Sequence, residues 1–176
     1  TKTDISKTDI SRVDTVFTIA EIGINHGGIL PLAKEMIHFA KACGADMAKF
    51  QHYRPEEILG KSSPCLAEAK KCQFTKVQHE ALKDECDRAG IEWGVSLFHA
   101  EDVEWTESLG MKRYKIASRA ALNNDLLKEI NKTRKPVIVS TGLHGSIHAA
   151  LTLLEDCDVT LLYCVCKYPA AIDDFS

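Results

Sequence analysis

Three junctions of one kind constrain this chain more than any other feature of it. At Gly44, Gly90 and Gly110 an amphipathic helical stretch stops at a single glycine and a short apolar run follows. Glycine behind a helical pattern ends a helix in the left-handed conformation, and a short β-rich run behind it reads as a buried strand. Repetition of strand, helix and strand predicts a parallel sheet covered by helices, an α/β fold. Six strands are expected, at residues 16–22, 45–51, 91–98, 112–117, 136–140 and 159–166. In the first helix Leu32, Met36, Ala40 and Cys43 make one apolar face. Thr75 is expected to cap a helix through Ala89 that buries Val77, Leu82, Cys86 and Ala89. A short helix follows at 100–109. Asn124 is expected to cap a helix to Thr133, and Ser146 one over 147–155 that buries Ile147, Ala150, Leu151 and Leu154. Six strands suit an open doubly wound sheet or most of an eight-stranded barrel. No G-x-G-x-x-G follows the first strand, which argues against a dinucleotide site.

Between the second strand and the next helix lies a long excursion, 52–74, containing Arg54-Pro55, Gly60 and Ser62-Ser63-Pro64, with some helix expected around 67–71. Connections of this length are more often functional or mobile than accidental. Residues 1–15 are polar, carry the pentapeptide KTDIS twice in tandem and offer no apolar period to bury, so they read as a solvated tail ahead of one domain at 16–176. The sequence opens at Thr1 rather than Met, as expected of a chain whose upstream part was removed or not recorded.

A net charge of −3 with 27% charged residues gives no bias toward nucleic acid or anionic membranes. No apolar run approaches the roughly 18 residues that span a bilayer, and no charged-then-apolar leader opens the sequence. Seven cysteines without a C-x-x-C pair, most inside apolar patterns, are expected to be reduced core residues of a cytoplasmic protein, with no spacing that fits zinc.

The strand ends carry the chemistry. Successive strand residues face opposite sides, and if the more apolar set faces the helices, then Glu21, Lys49, Gln51, Ser96, Lys115 and Ser140 face the other way. They gather at the carboxyl ends of five strands, where α/β folds bind ligands. Two lysines, hydroxyls and a glutamate suit a small anion, with lysines as point charges on phosphate or carboxylate. A single such lysine reads more simply as snorkelling to solvent; the shared face of the set favours a site. His26, in the Gly-rich loop behind the first strand, is balanced between a substrate contact and a structural hydrogen bond. His99, His144 and Arg119 follow strands and are weaker candidates, while His38, His79 and His148 read as surface helix residues.

The segments AEIGINHGG, GADMAKFQ, YKIAS, KPVIVSTG and LLYCVCKYP, in this order and spacing, resemble the N-terminal half of the sialic acid synthase (N-acetylneuraminate synthase) family, over about 17–175. The resemblance implies a TIM-type (β/α)8 barrel, of which about six βα units are present here. It also implies a transferase reaction: condensation of phosphoenolpyruvate with an N-acyl hexosamine such as N-acetylmannosamine, with carbon–oxygen cleavage, to a nonulosonic (sialic) acid and phosphate. A divalent metal, Mn2+ or Mg2+, orients the sugar aldehyde as a Lewis acid in that family. By position, Lys49, Ser96, Lys115, Ser118 and Ser140 match residues that hold phosphoenolpyruvate. Glu21 and Gln51 match polar positions near the reacting carbons, Tyr168 one near the sugar, and Asn25 and His26 belong to the loop beside them.

The departures are specific. Ser96-Leu97 stands for the family's Thr-Pro, Ala120 for an acidic residue, Cys166 for a polar one, and Ala170-Ala171 for Thr-Pro. The family's two metal-binding histidines, last two strands and C-terminal antifreeze-like domain have no counterpart, so the resemblance implies metal ligands outside this chain. Six strands do not close such a barrel, and the chain reads as a truncated synthase whose full-length relatives are homodimers. Two other readings stay open: a Schiff-base aldolase using Lys115 or Lys49, and a non-catalytic degenerate half-barrel.

Overall fold

The computed structural model describes residues 16–142, 147–167 and 169–174. The expected tail at 1–15, the cap at Ser146, and the candidates His144 and Tyr168 lie outside the described residues. Six parallel strands form one sheet in the order β1 (Ile19–Gly23), β2 (Met47–Gln51), β3 (Glu92–Ser96), β4 (Tyr114–Ile116), β5 (Val137–Ser140), β6 (Val159–Leu162). The first five are each followed by helix: α1 (Leu30–Ala42), then α2 (Pro55–Ile58), α3 (Leu66–Cys72) and α4 (Lys76–Ala89) after β2, α5 (Asp102–Ser108), α6 (Asn124–Thr133) and α7 (Ile147–Leu153). Strand order equal to chain order, every connection passing through helix, is the succession of a (β/α) barrel and not the reversed order of a doubly wound sheet.

The strand alternation holds. Ala48, Phe50, Val95, Leu97, Tyr114, Ile116, Val137 and Val139 are buried in one apolar core with Leu82, Cys86, Leu126, Leu127 and Ile130 from α4 and α6. Helix ends follow local chemistry. Thr75 caps α4 in a capping box: its hydroxyl accepts from Gln78 N while Gln78 accepts from Thr75 N at 2.9 Å. Gly90 ends α4 at φ +66.

Several expectations are corrected. The cap of α6 is Asn123, not Asn124: Asn123 is extended and its Oδ1 accepts from Leu126 N at 3.1 Å, whereas Asn124 is already helical. Helix α1 buries Ala33, Ile37 and Ala40 and leaves Leu32 and Cys43 exposed. Val77 is exposed on α4, as is Leu151 on α7. His79 is not a surface residue but 0% exposed. Its ring sits edge-on to Phe50, Phe74, Trp93 and Trp105. Burial, then the neighbouring His52, pull its pKa down to about 3, so it packs as a neutral aromatic ring. Of the cysteines only Cys72 and Cys86 are buried; Cys43, Cys65 and Cys166 are exposed, and all seven are free. No helix among the described residues is long and apolar enough to cross a membrane.

The long excursion is packed, not loose. Tyr53 and Phe74 are buried at its two ends, and Tyr53 Oη donates to Ala69 O at 2.8 Å. The loop behind β1 closes on it: His26 stacks on Phe74 at 4.0 Å between ring centroids, and Gly28, at φ +80, lies so near α3 that a Cβ there would sit 2.0 Å from Lys71 O. A Gly28→Ala change therefore meets both backbone strain and a carbonyl that cannot swing aside. We expect it to cost about 1–3 kcal/mol, read from urea unfolding, with the loss of order concentrated in 52–74 by hydrogen exchange.

Candidate active site

The parallel register levels the polar residues. Glu21 is paired with Lys49 and Lys49 with Gly94; one step further along, Gln51 is paired with Ser96 and Ser96 with Lys115. Strand ends separated in sequence by up to 94 positions thus meet at two adjoining levels.

Two lysine-centred groups result. Lys49, 3% exposed, meets both carboxylate oxygens of Glu21 at 2.9 and 2.6 Å and donates to Ser96 Oγ at 3.1 Å. Lys115 donates to Ser140 Oγ at 2.6 Å and to Ile116 O at 3.1 Å. Burial and the nearby Lys49 charge lower the Lys115 pKa to about 8, against a smaller upward pull from Glu21 and Cys164. With one glutamate between two lysines, the group is short of negative charge. Ser118 extends it: its Oγ accepts from Gly142 N at 3.1 Å and lies 3.7 Å from Cys164 Sγ. Gln51 Nε2 and Glu21 Oε1 both line Gly23, at 3.8 and 3.3 Å from the position a Cβ would take there.

Glu21, Lys49, Gln51, Ser96, Lys115, Ser118 and Ser140 are therefore brought together. Asn25 and His26 are not. Asn25 Nδ2 donates to Ile22 O at 3.0 Å, and His26 turns onto Phe74, its Nδ1 accepting from Gly28 N at 3.0 Å. Burial lowers the His26 pKa, against an opposing hydrogen bond to the Gly23 backbone. Arg119 reaches the carbonyl of Ile58 in α2. His99 Nδ1 lies 3.2 Å from Glu57, beside a cavity of about 370 Å³ that Phe98, Arg119 and Asn123 also line.

Two features escaped the strand-end reading. Cys164 stands where the line of β6 runs on toward Ser118; extending the same alternation past Thr160 and Leu162 nominates it. Behind Ser96 lies a buried polar knot: His52 N donates to Ser96 O at 3.0 Å, and its ring lies 3.6 Å from the carboxylate of Asp102, which also meets Lys76 at 2.8 Å and Arg54 at 3.4 Å. Nothing in the spacing of these four residues announces it. Among the described residues no three His, Cys, Asp or Glu side chains converge as a metal set.

The fold and the cluster define an α/β protein of the (β/α)-barrel type, with a site of lysines and serines at the carboxyl ends of its strands. The chain belongs to the NeuB family, whose model matches residues 36–176. It is 34% identical to an uncharacterised protein of Methanocaldococcus jannaschii, over 94% of this chain and 50% of that protein. It is 30% identical to the N,N'-diacetyllegionaminic acid synthase of Legionella pneumophila, over 91% of this chain and 51% of that one. Among solved structures, an N-acetylneuraminic (sialic) acid synthetase of Leptospira borgpetersenii in complex with citrate superposes with a TM-score of 0.87 at 31% identity, covering 92% of this chain and 58% of that one. The chain spans about half the length of the curated relatives it matches.

Proposed function

We propose that this chain carries the phosphoenolpyruvate-binding part of a synthase that joins phosphoenolpyruvate to an N-acyl hexosamine, releasing phosphate and a nonulosonic acid. The observation that carries the reading is the pairing of Lys49 with Ser96 and of Lys115 with Ser140 across adjoining strand ends. The names of the family relatives, synthases of legionaminic, pseudaminic and sialic acids, agree with it. In this reading the lysines and hydroxyls hold the phosphate and carboxylate, and they fix the enol double bond toward the mouth of the strands. Glu21 anchors Lys49 and, with Gln51, lines the side from which the sugar aldehyde approaches; a contact of Tyr168 with the sugar is what the family resemblance implies. The Mn2+ or Mg2+ that the family resemblance implies would orient the sugar aldehyde as a Lewis acid; among the described residues no side chains form a set for it. The reading keeps the protein in the cytoplasm, with small molecules as its partners, and takes the longer relatives as homodimers.

The deciding experiment is calorimetric titration of the chain with phosphoenolpyruvate, followed by assay of phosphate release with N-acetylmannosamine and manganese. Absence of binding would sink the reading. Because Lys115 gives up its proton near pH 8, its cation is present below that pH and lost above it. Affinity for phosphoenolpyruvate is expected to fall roughly tenfold between pH 7 and pH 9, and a Lys115→Arg variant should flatten the fall.

The lowered Lys115 amine supports one second reading, a Schiff-base aldolase, since a part-neutral amine is the nucleophile such chemistry needs. Borohydride trapping of a carbonyl substrate on Lys115 would favour it over the synthase.

A further inference from the structure

We propose that the imidazoles of His26 and His79 form an acid-released latch, which holds the loop behind β1 and the segment 52–74 against the sheet while both rings are neutral and lets them go when a proton enters. The two rings lie at one seam. His79, on α4, is fully buried and packs edge-on against Phe50, Trp93 and Trp105, which belong to β2, β3 and α5. It also packs edge-on against His52 and Phe74, the two ends of the segment, at 5.2 and 6.0 Å between ring centroids. His26, likewise buried, stacks on Phe74 at 4.0 Å and so closes the loop over the same place.

Neither ring is placed to carry a charge. Both ring nitrogens of His79 are buried without a hydrogen-bond partner. Nδ1 of His26 accepts the N–H of Gly28 at 3.0 Å, which takes the lone pair that a second proton would occupy. Protonating His26 therefore breaks the bond that seats Gly28 against Lys71 O of α3. The charged groups around the seam are already engaged. Asp102 on α5, the carboxylate that acts on His79, is met by Lys76 at 2.8 Å and Arg54 at 3.4 Å, with the His52 ring at 3.6 Å. Glu80 on α4 takes the indole N–H of Trp105 at 3.2 Å, and Lys71 lies 3.7 Å from Glu68. A buried charge without a partner is costly. Burial and the neighbouring His52 accordingly bring the His79 pKa down to about 3, against smaller upward pulls from the Gln51 backbone and Asp102, and burial lowers that of His26.

Once the loop and the segment swing away, each ring meets water and takes up a proton near its ordinary value of about 6.5. The open form then binds protons that the closed form refuses, so opening grows as pH falls below about 6.5. His79 alone raises the opening equilibrium roughly 25-fold between pH 7 and pH 5. The latch reaches the lysine–serine cluster through His52, whose N–H donates to Ser96 O at 3.0 Å at the end of β3. It stands independently of the proposed function.

Hydrogen exchange of the purified chain at pH 7 and pH 5, resolved by peptide and corrected for the intrinsic rate at each pH, reads the opening. Residues 24–29 and 52–74 should lose protection at least about tenfold at pH 5, while β4 and β5 change by less than about twofold. His79→Phe keeps a ring in the aromatic packing and takes no proton, so most of that rise should vanish in it. Protection of both stretches that is indifferent to pH would overturn the proposal. Equal loss in β4 and β5 would do the same, since that is acid unfolding of the whole sheet, and so would a folded His79→Phe chain with the full native rise. Should His79→Phe not fold, His26→Phe, which keeps the stack on Phe74 and loses the acceptor for Gly28, is read in its place: a smaller rise upholds the latch and an undiminished one overturns it.

Discussion

Lys49→Met is expected to weaken phosphoenolpyruvate binding by roughly 10- to 150-fold, the loss of about 1.5–3 kcal/mol that attends a charge-assisted hydrogen bond. Lys49 is 3% exposed, and its ammonium is held between the two carboxylate oxygens of Glu21 and the hydroxyl of Ser96. A ligand anion therefore meets a cation already fixed in place, with little side-chain entropy left to lose. Methionine keeps the apolar stem and removes the charge with its hydrogen-bond donors to Glu21 and Ser96. Glu21, whose side chain is about half exposed, then turns to water, so the fold should tolerate the change. Calorimetry with phosphoenolpyruvate measures the effect, and a urea titration establishes that the variant remains folded. An unchanged affinity in a folded variant would remove Lys49 from the site.

The second large effect concerns stability. Asp102 is 0% exposed and opens α5, and its carboxylate meets Lys76, the first residue of α4, together with Arg54 and His52 from the segment behind β2. One buried anion thus joins three separate stretches of chain. Asp102→Ala leaves the buried His52 ring without its carboxylate neighbour, while Lys76 and Arg54 are exposed enough to recover water. A cost of about 3 kcal/mol is expected, at the lower end for a broken buried pair. Urea unfolding reads it directly. Burial alone would raise the Asp102 pKa, but hydrogen bonds and charge from His52 and Lys76 prevail and hold the carboxyl well below the usual carboxylate range. The sign follows from that direction. A depressed carboxylate contributes stability that is complete above its unfolded value of about 3.9 and is lost as pH falls below it. The gap between the native chain and Asp102→Ala should be full at pH 6–7 and narrow below about pH 4. A gap independent of pH would show that packing, not charge, is what Asp102 supplies. Because His52 N also bonds Ser96 O, the same variant is expected to loosen the lysine–serine cluster.

Much of this was legible in one dimension. Strand alternation separated Phe50, Val95 and Ile116 from Lys49, Ser96 and Lys115, because a pleated strand between helices and a polar interior leaves each residue only two directions. Helix stops were legible at Gly44, Gly90 and Gly110, where φ lies between +66 and +85, a conformation that costs other residues a steric penalty. The helix faces were less so. On α1 and α4 the apolar residues surround more than one stripe, and the choice of Ala33 over Leu32, or His79 over Val77, depends on how closely the neighbouring element approaches.

By itself, then, the sequence determined the βα succession, the parallel sheet and the set of polar residues sharing one of its faces, since each follows from local periodicity. Only the tertiary structure decided which of them meet: Lys49 with Glu21 and Ser96, Lys115 with Ser140, Cys164 with Ser118, His52 with Asp102. The reason is strand register. Pairing between β2, β3 and β4 is fixed by hydrogen bonds among backbones far apart in the chain, and a shift of one residue would send Lys49, Ser96 and Lys115 to the opposite face and pull the segments that follow them out of place.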